Sequence, residues 1–209
     1  MIVDERIITF INSLDTKNSE ILEDIEREAL ADNVPIIRRE MQSFLKVLLM
    51  VKKPMRVLEV GTAVGFSALL MSEYVPEECA ITTIENYEKR IPIARQNFVR
   101  AGKEKKITLL EGDAMDVLKT LEGPYDFIFM DAAKGQYIHY LPEILRLLAK
   151  GGILVSDNVM QDGDVIESRF AVERRDRTIH ARMREYLYEL KHNDALVTSI
   201  IPLGDGVAL

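Results

Sequence analysis

Apolar residues in the first fifty positions recur every three or four residues, in ERIITFINSL and again in SEILEDIEREAL, which is the spacing of amphipathic helices. Asp32-Asn33 reads as a helix-cap pair, and Val34-Pro35 opens a third helical stretch, IIRREMQSFLKVLLMVKK, in which proline suits the first turn and lysines the last. Pro54 stops it, and no strand pattern precedes position 56. From Arg56 onward the pattern changes. Short apolar runs, RVLEV, AITTI, KITLLEG, YDFIFM and GILVSD, alternate with stretches predicted as helices over roughly 64–75, 87–101, 113–121 and 139–149. A long polar helix over roughly 168–192 then precedes VTSIIPL and GVAL, joined at Gly204-Asp205-Gly206, a turn sequence that favours a hairpin. This order predicts one α/β domain: amino-terminal helices over 1–53, then a doubly wound sheet over 54–209. The sheet has seven strands, helices on both faces and a terminal antiparallel strand.

Composition narrows the class. The chain has 209 residues, 47% hydrophobic and 29% charged, with no low-complexity run, as expected of one globular domain that buries a sizeable core. The first residues, MIVDERIITFINSL, contain acids and no uninterrupted apolar core, so neither a signal peptide nor a membrane span is expected, and the expected compartment is the cytoplasm. The single cysteine, Cys79, suits a reducing compartment, and no Cys or His spacing suggests zinc. A net charge of −7 repels polyanions on average. Residues 169–184 reverse that locally, with six arginines against two acids.

Candidate chemistry gathers at the strand ends. RVLEV runs into Glu59-Val60-Gly61-Thr62-Ala63-Val64-Gly65-Phe66-Ser67, a glycine-containing turn that lets a ligand approach backbone amides. Glu59, Gly61, Thr62, Gly65 and Ser67 are its candidate cofactor residues. The turn lacks the Lys-Ser/Thr of a P-loop and the glycine spacing of a dinucleotide fold. Glu85 ends the next strand, where an acid accepts hydrogen bonds from ribose hydroxyls, and Gly112-Asp113-Ala114 follows the third strand, at a place where Asp113 and Ala114 meet an adenine. Three such features without phosphate chemistry point to an adenosyl group joined to an amino acid. Asp131 ends YDFIFM and Asp157-Asn158 end GILVSDN, so three oxygen-bearing side chains converge beside the turn, suiting Mg²⁺, with Mn²⁺ or Ca²⁺ as alternatives. Either acid alone reads equally well as a helix cap.

The motifs LEVGTAVGFSA, the Ile84-Glu85 pair, GDA, DAAK and SDN together resemble the cation-dependent class I O-methyltransferases, which include the catechol and caffeoyl-coenzyme A enzymes, over residues 34 to 209. That resemblance implies a Rossmann-like class I methyltransferase fold and S-adenosylmethionine as cofactor. It also implies Asp131, Asp157 and Asn158 as metal ligands, Glu85 at the ribose, Asp131 also near the cofactor, and Lys134 with Asp131 at the reacting hydroxyl. A narrower set, NVPI, DAAKGQY, SDNV, the arginine-rich helix and PLGDG, is similar to the bacterial tRNA 5-hydroxyuridine methyltransferases, which form 5-methoxyuridine at the wobble position. On that resemblance Val34 joins the cofactor residues, the tRNA anticodon region is the partner, and a homodimer is expected. Arg38, Arg39, Arg169, Arg174, Arg175, Arg177 and Arg182 then contact RNA phosphates, with Arg184 on the same helix and Tyr137 and Phe170 as stacking candidates. Two alternatives stay open: a small catechol-like phenol as acceptor, with the arginines an ordinary solvated face, or a non-catalytic RNA-binding protein that keeps the fold.

Overall fold

The computed structural model describes residues 2–209. Three helices, α1 (Glu5–Ser13), α2 (Glu20–Ala31) and α3 (Arg39–Lys52), precede the first strand. The third starts at Arg39 rather than at Pro35. Asn33, two residues past α2, adopts a left-handed conformation, and Val34 precedes a proline, whose ring disfavours helical backbone at the residue before it. Residues 34–38 therefore run free of helix, and Pro35 to Arg38 become one wall of a cleft.

The parallel part of the sheet comprises β1 (Arg56–Val60), β2 (Ala80–Glu85), β3 (Ile107–Glu111), β4 (Tyr125–Met130) and β5 (Leu148–Ser156). Helices α4 (Phe66–Tyr74), α5 (Ile91–Arg100), α6 (Ala114–Thr120) and α7 (Tyr137–Leu147) connect them. After α8 (Arg177–His192), a short hairpin of β6 (Ile200–Ile201) and β7 (Val207–Ala208) completes a seven-stranded sheet in the order β3-β2-β1-β4-β5-β7-β6. β7 runs antiparallel to both β5 and β6, as the Gly204-Asp205-Gly206 turn predicts. Among the described residues no helix is long and apolar enough to cross a membrane.

Side-chain alternation on the central strands explains the three layers. Val57 of β1 and Phe127 and Phe129 of β4 pack toward α2, α3, α4 and α5, whereas Leu58, Val60, Ile128 and Met130 pack toward α6, α7 and α8. The run 168–192 is helical only from Arg177. Its apolar residues fall at helical spacing from Ile179 through Met183, Tyr186 and Leu190. Before that, only Val172 is buried, and turn bonds from Ala171 to Ser168 and from Asp176 to Glu173 take the place of a helix.

The chain winds outward from β1 to β3, then returns to the other side of β1 as β4, so the loops after β1 and β4 leave in opposite directions and open a crevice. Close backbone contact floors it. Asp131 N donates to Val60 O (3.0 Å), and a Cβ on Gly61, at φ 107°, would lie 2.1 Å from the Asp131 carbonyl oxygen. Gly61→Ala is therefore expected to destabilise the fold by more than about 2 kcal/mol, through left-handed strain plus this overlap, and to lower the urea midpoint; an unchanged midpoint would contradict the packing described.

Candidate active site

The crevice encloses about 610 Å³, in the size range of small-molecule sites. Its walls bring together residues far apart in sequence: Gly61, Thr62 and Ser67 from the β1–α4 turn, Glu85 after β2, Ala114 after β3, Asp131 and Lys134 after β4, and Asp157 and Asn158 after β5. Arg38 closes the side formed by residues 35–38. Four residues expected at the cofactor do not line it. Val34 instead donates its amide to Ala29 O, closing α2. Gly65 caps α4 at φ 85°, where a Cβ would overlap the Phe98 ring. Asp113 caps α6 by accepting from Met115 N at 2.9 Å. Glu59 lies fully buried beneath the turn, accepting hydrogen bonds from Ser67 Oγ and Thr83 Oγ1.

Those bonds make the turn rigid. Thr62 Oγ1 and Thr83 Oγ1 are 2.6 Å apart, so Ser67, Glu59, Thr83 and Thr62 form one buried chain. Burial pushes the Glu59 carboxyl up to about 7, against the two hydroxyl donors that favour its charged form. Glu85 is tied both to the turn and to the segment after its own strand: its Oε2 accepts from Ala63 N (2.7 Å), and its Oε1 accepts from Asn86 N and Tyr87 N. The first of these bonds steadies a non-glycine residue in the left-handed region, Ala63 at φ 47°.

Beyond β4 and β5 the backbone aims the oxygen ligands. Asp157 N donates to Met130 O (2.9 Å), continuing the ladder one residue past the strand. Adjacent side chains on an unbroken strand point to opposite faces, but Asn158 turns left-handed at φ 55°, and both Asp157 and Asn158 line the cleft. Asparagine tolerates that conformation better than most residues. Burial, and then the charge of Asp131, raise Asp157 to about 7, while Lys134 opposes the shift. Lys134 Nζ stands 2.9 Å from Asp131 Oδ1. Two neighbouring carboxylates and one amide oxygen, with no nitrogen or sulfur donor, match a hard divalent cation. A bound cation would relieve the repulsion that disfavours two charged aspartates here. Among the described residues no group of three His, Cys, Asp or Glu side chains is placed to hold a metal, so Asp131 and Asp157 would need a further oxygen, of which the Asn158 side chain lines the same cleft.

The basic residues divide. Arg39 is engaged by Glu26 and Glu23 between α2 and α3. Arg177 donates to Val172 O and Phe170 O, Arg182 to Gly135 O and Arg184 to Val165 O, so these three brace the fold, and Arg175 pairs with Glu173 and Asp176. Arg169 and Arg174 are exposed with no partner among the described residues. Phe170 beside them is 86% exposed, but Tyr137 is fully buried and offers no stacking face. Sequence reasoning missed Ile36, Ile37, Tyr87, Arg90 and Tyr140, all of which line the cleft. Tyr87 follows the strand-ending acid by two residues, which was its only signal.

A family model described as O-methyltransferase matches residues 12–209. The chain belongs to the O-methyltransferase family. Catechol O-methyltransferase of Niastella koreensis is 35% identical over 128 residues, 59% of this chain and 58% of that protein. Caffeoyl-CoA O-methyltransferase 2 of Populus trichocarpa is 33% identical over 183 residues, 79% of this chain and 70% of that one. The SAH-bound methyltransferase PaMTH1 of Podospora anserina superposes with a TM-score of 0.88 at 27% identity, covering 98% of this chain and 92% of its own. This O-methyltransferase thus shares its fold, over nearly its whole length, with a solved relative.

The buried Glu59 generates a pH prediction. Its folded pKa lies above its unfolded value, so the folded state holds the proton more tightly, and stability falls as pH rises from about 4.5 to about 7. Glu59→Gln is expected to reduce that fall by about 3 kcal/mol in chemical denaturation series, leaving a comparable contribution from Asp157, whose carboxyl is also raised to about 7. Parallel wild-type and variant curves would refute it.

Proposed function

We propose that this O-methyltransferase uses S-adenosylmethionine and a divalent cation to methylate one hydroxyl of an acceptor that carries two adjacent oxygens, such as a small catechol-like phenol. The observation that carries this reading is the convergence of Asp131, Lys134, Asp157 and Asn158 in the same cleft as the Gly61–Ser67 turn and Glu85. The names of the catechol and caffeoyl-CoA relatives, and the SAH bound to PaMTH1, support it. When bound, S-adenosylmethionine supplies an electrophilic methyl group, and Mg²⁺, or Mn²⁺ or Ca²⁺, lowers the pKa of a hydroxyl and fixes its position. Asp131, Asp157 and Asn158 would hold the cation.

The remaining roles belong to this chain's own groups. Glu85, its carboxylate fixed by three backbone amides, accepts ribose hydroxyls. Ala114, Thr62, Gly61 and Ser67 bound the nucleoside and amino-acid portions. Lys134 pairs with Asp131 at 2.9 Å, where its ammonium group stabilises the oxyanion left when the acceptor hydroxyl gives its proton to solvent. Ile36, Ile37 and Arg38 close the acceptor side and exclude water. With catechol, S-adenosylmethionine and Mg²⁺ the protein is expected to release a monomethyl ether, measured by mass spectrometry. Exhaustive chelation should abolish it, and Asp157→Ala should lower the rate about 100-fold or more. A rate indifferent to chelator overturns the cation-dependent reading.

One observation favours a second acceptor, 5-hydroxyuridine at the tRNA wobble position. Arg169, Phe170 and Arg174 project into solvent from the segment that leads to α8, and α8 is tied by Arg182 to Gly135, next to Lys134. Unpaired cations beside an exposed aromatic ring suit phosphates and an unstacked base. In this reading, Arg169→Glu with Arg174→Glu lowers methylation of hydroxyuridine-containing tRNA about 10-fold or more and leaves catechol turnover unchanged. Equal activity of that double variant on both acceptors removes the tRNA reading.

A further inference from the structure

The DAAKGQY motif contains a residue that the site, as drawn above, does not use. Tyr137 opens α7 directly after the 3-10 turn Lys134–Gln136, and its side chain points away from solvent, fully buried and outside the cleft lining. Four polar groups meet its hydroxyl. Met130 O lies at 3.0 Å, Asp157 O at 3.2 Å, Ala132 N at 3.3 Å and Lys134 Nζ at 3.4 Å. A phenol has one proton to give and two lone pairs to accept with. The two carbonyls share the proton, and the amide and the ammonium take the lone pairs, so the hydroxyl is saturated with nothing to spare.

Each partner flanks the reactive cluster. Met130 and Ala132 bracket Asp131 at the end of β4, the Asp157 carbonyl belongs to the residue at the end of β5, and Lys134 pairs with Asp131. We propose that Tyr137 is the positioning residue of this site: its buried hydroxyl locks the ends of β4 and β5 to one another and steadies Lys134, so that Asp131, Asp157 and Asn158 face a common point. The inference rests on the cation-dependent reading above. The ring is wedged edge-on against the Tyr186 ring, with centroids 5.4 Å apart and both rings fully buried, so the phenol cannot swing aside. Removing only the hydroxyl would leave the Ala132 amide without that acceptor and the Met130 and Asp157 carbonyls without a common donor, while the packing persists.

Tyr137→Phe tests this, with Tyr186→Phe as the control that removes a neighbouring buried hydroxyl from the same ring pair. Cation affinity is read by Mn²⁺ electron paramagnetic resonance, independently of turnover, and folding by thermal melting. Tyr137→Phe is expected to bind Mn²⁺ about 10-fold more weakly and to lose about 10- to 100-fold in kcat, with the KM for S-adenosylmethionine within about two-fold of wild type. Tyr186→Phe should keep both properties even where its melting temperature falls as far. Wild-type Mn²⁺ affinity and kcat in Tyr137→Phe overturn the inference alone. Equal losses in both variants, matched to their loss of stability, overturn it as well by reducing Tyr137 to packing. If wild-type protein itself binds no Mn²⁺, the cation-dependent reading falls, and this inference falls with it.

Discussion

Where β1 meets β4, two backbones touch with no room for a side chain, and the rest of the cleft depends on that contact. Gly61 packs on the Asp131 carbonyl, and the Asp131 amide returns a hydrogen bond to Val60. Any residue with a Cβ here would push the two strand ends apart, and with them the turn that lines the cleft and the acid that heads the oxygen cluster. Glycine at this position is thus a distance constraint between two halves of a site, enforced by hard-core repulsion, which is steep and insensitive to solvent.

Around that contact the protein spends polar groups on rigidity. The Glu59 carboxyl is driven toward its neutral form by burial, yet it organises Ser67 and, through Thr83, Thr62 beneath the turn. Glu85 lies nearer the surface, where three amide donors immobilise its charged end. One acid lies beneath the turn and the other lines the cleft, a difference set by depth. Asp157 lies between these cases: buried as deeply as a structural residue, it faces the cleft, and the like charge of Asp131 adds to the cost of ionising it. Such an arrangement is tolerable in a native fold when a positive charge completes it.

Much of this was legible in the chain. The alternation of short apolar runs and amphipathic stretches reported the order of elements, and residues at strand ends could be assigned to one edge because parallel strands share a direction. Thus Gly61, Glu85, Asp131, Lys134, Asp157 and Asn158 were found together. What escaped were properties of depth and partnering. Nothing in local sequence distinguishes Glu59 below the turn from Ser67 within it, or Asp113 as a cap from Ala114 at the cleft. The arginine run divides for a related reason: charge density along a sequence does not say which guanidiniums are already engaged by carbonyls, as Arg177, Arg182 and Arg184 are. Proline at position 35 was assigned to a first helical turn on propensity, whereas its effect on the preceding residue leaves an extended wall.

The segment between the end of β5 and α8 carries a consequence of a different kind. Residues 168–176 are stitched into the molecule mainly by buried Val172 and by the guanidinium of Arg177, and almost everything else in them faces outward. None of the strand-end groups depends on their side chains for its position. Drift, insertion or replacement in this stretch can therefore proceed at little cost to folding, while the surface presented ahead of α8 changes with each step. A lineage built on this plan can reshape one stretch of its surface by editing a single loop, with the strand-end cluster inherited intact.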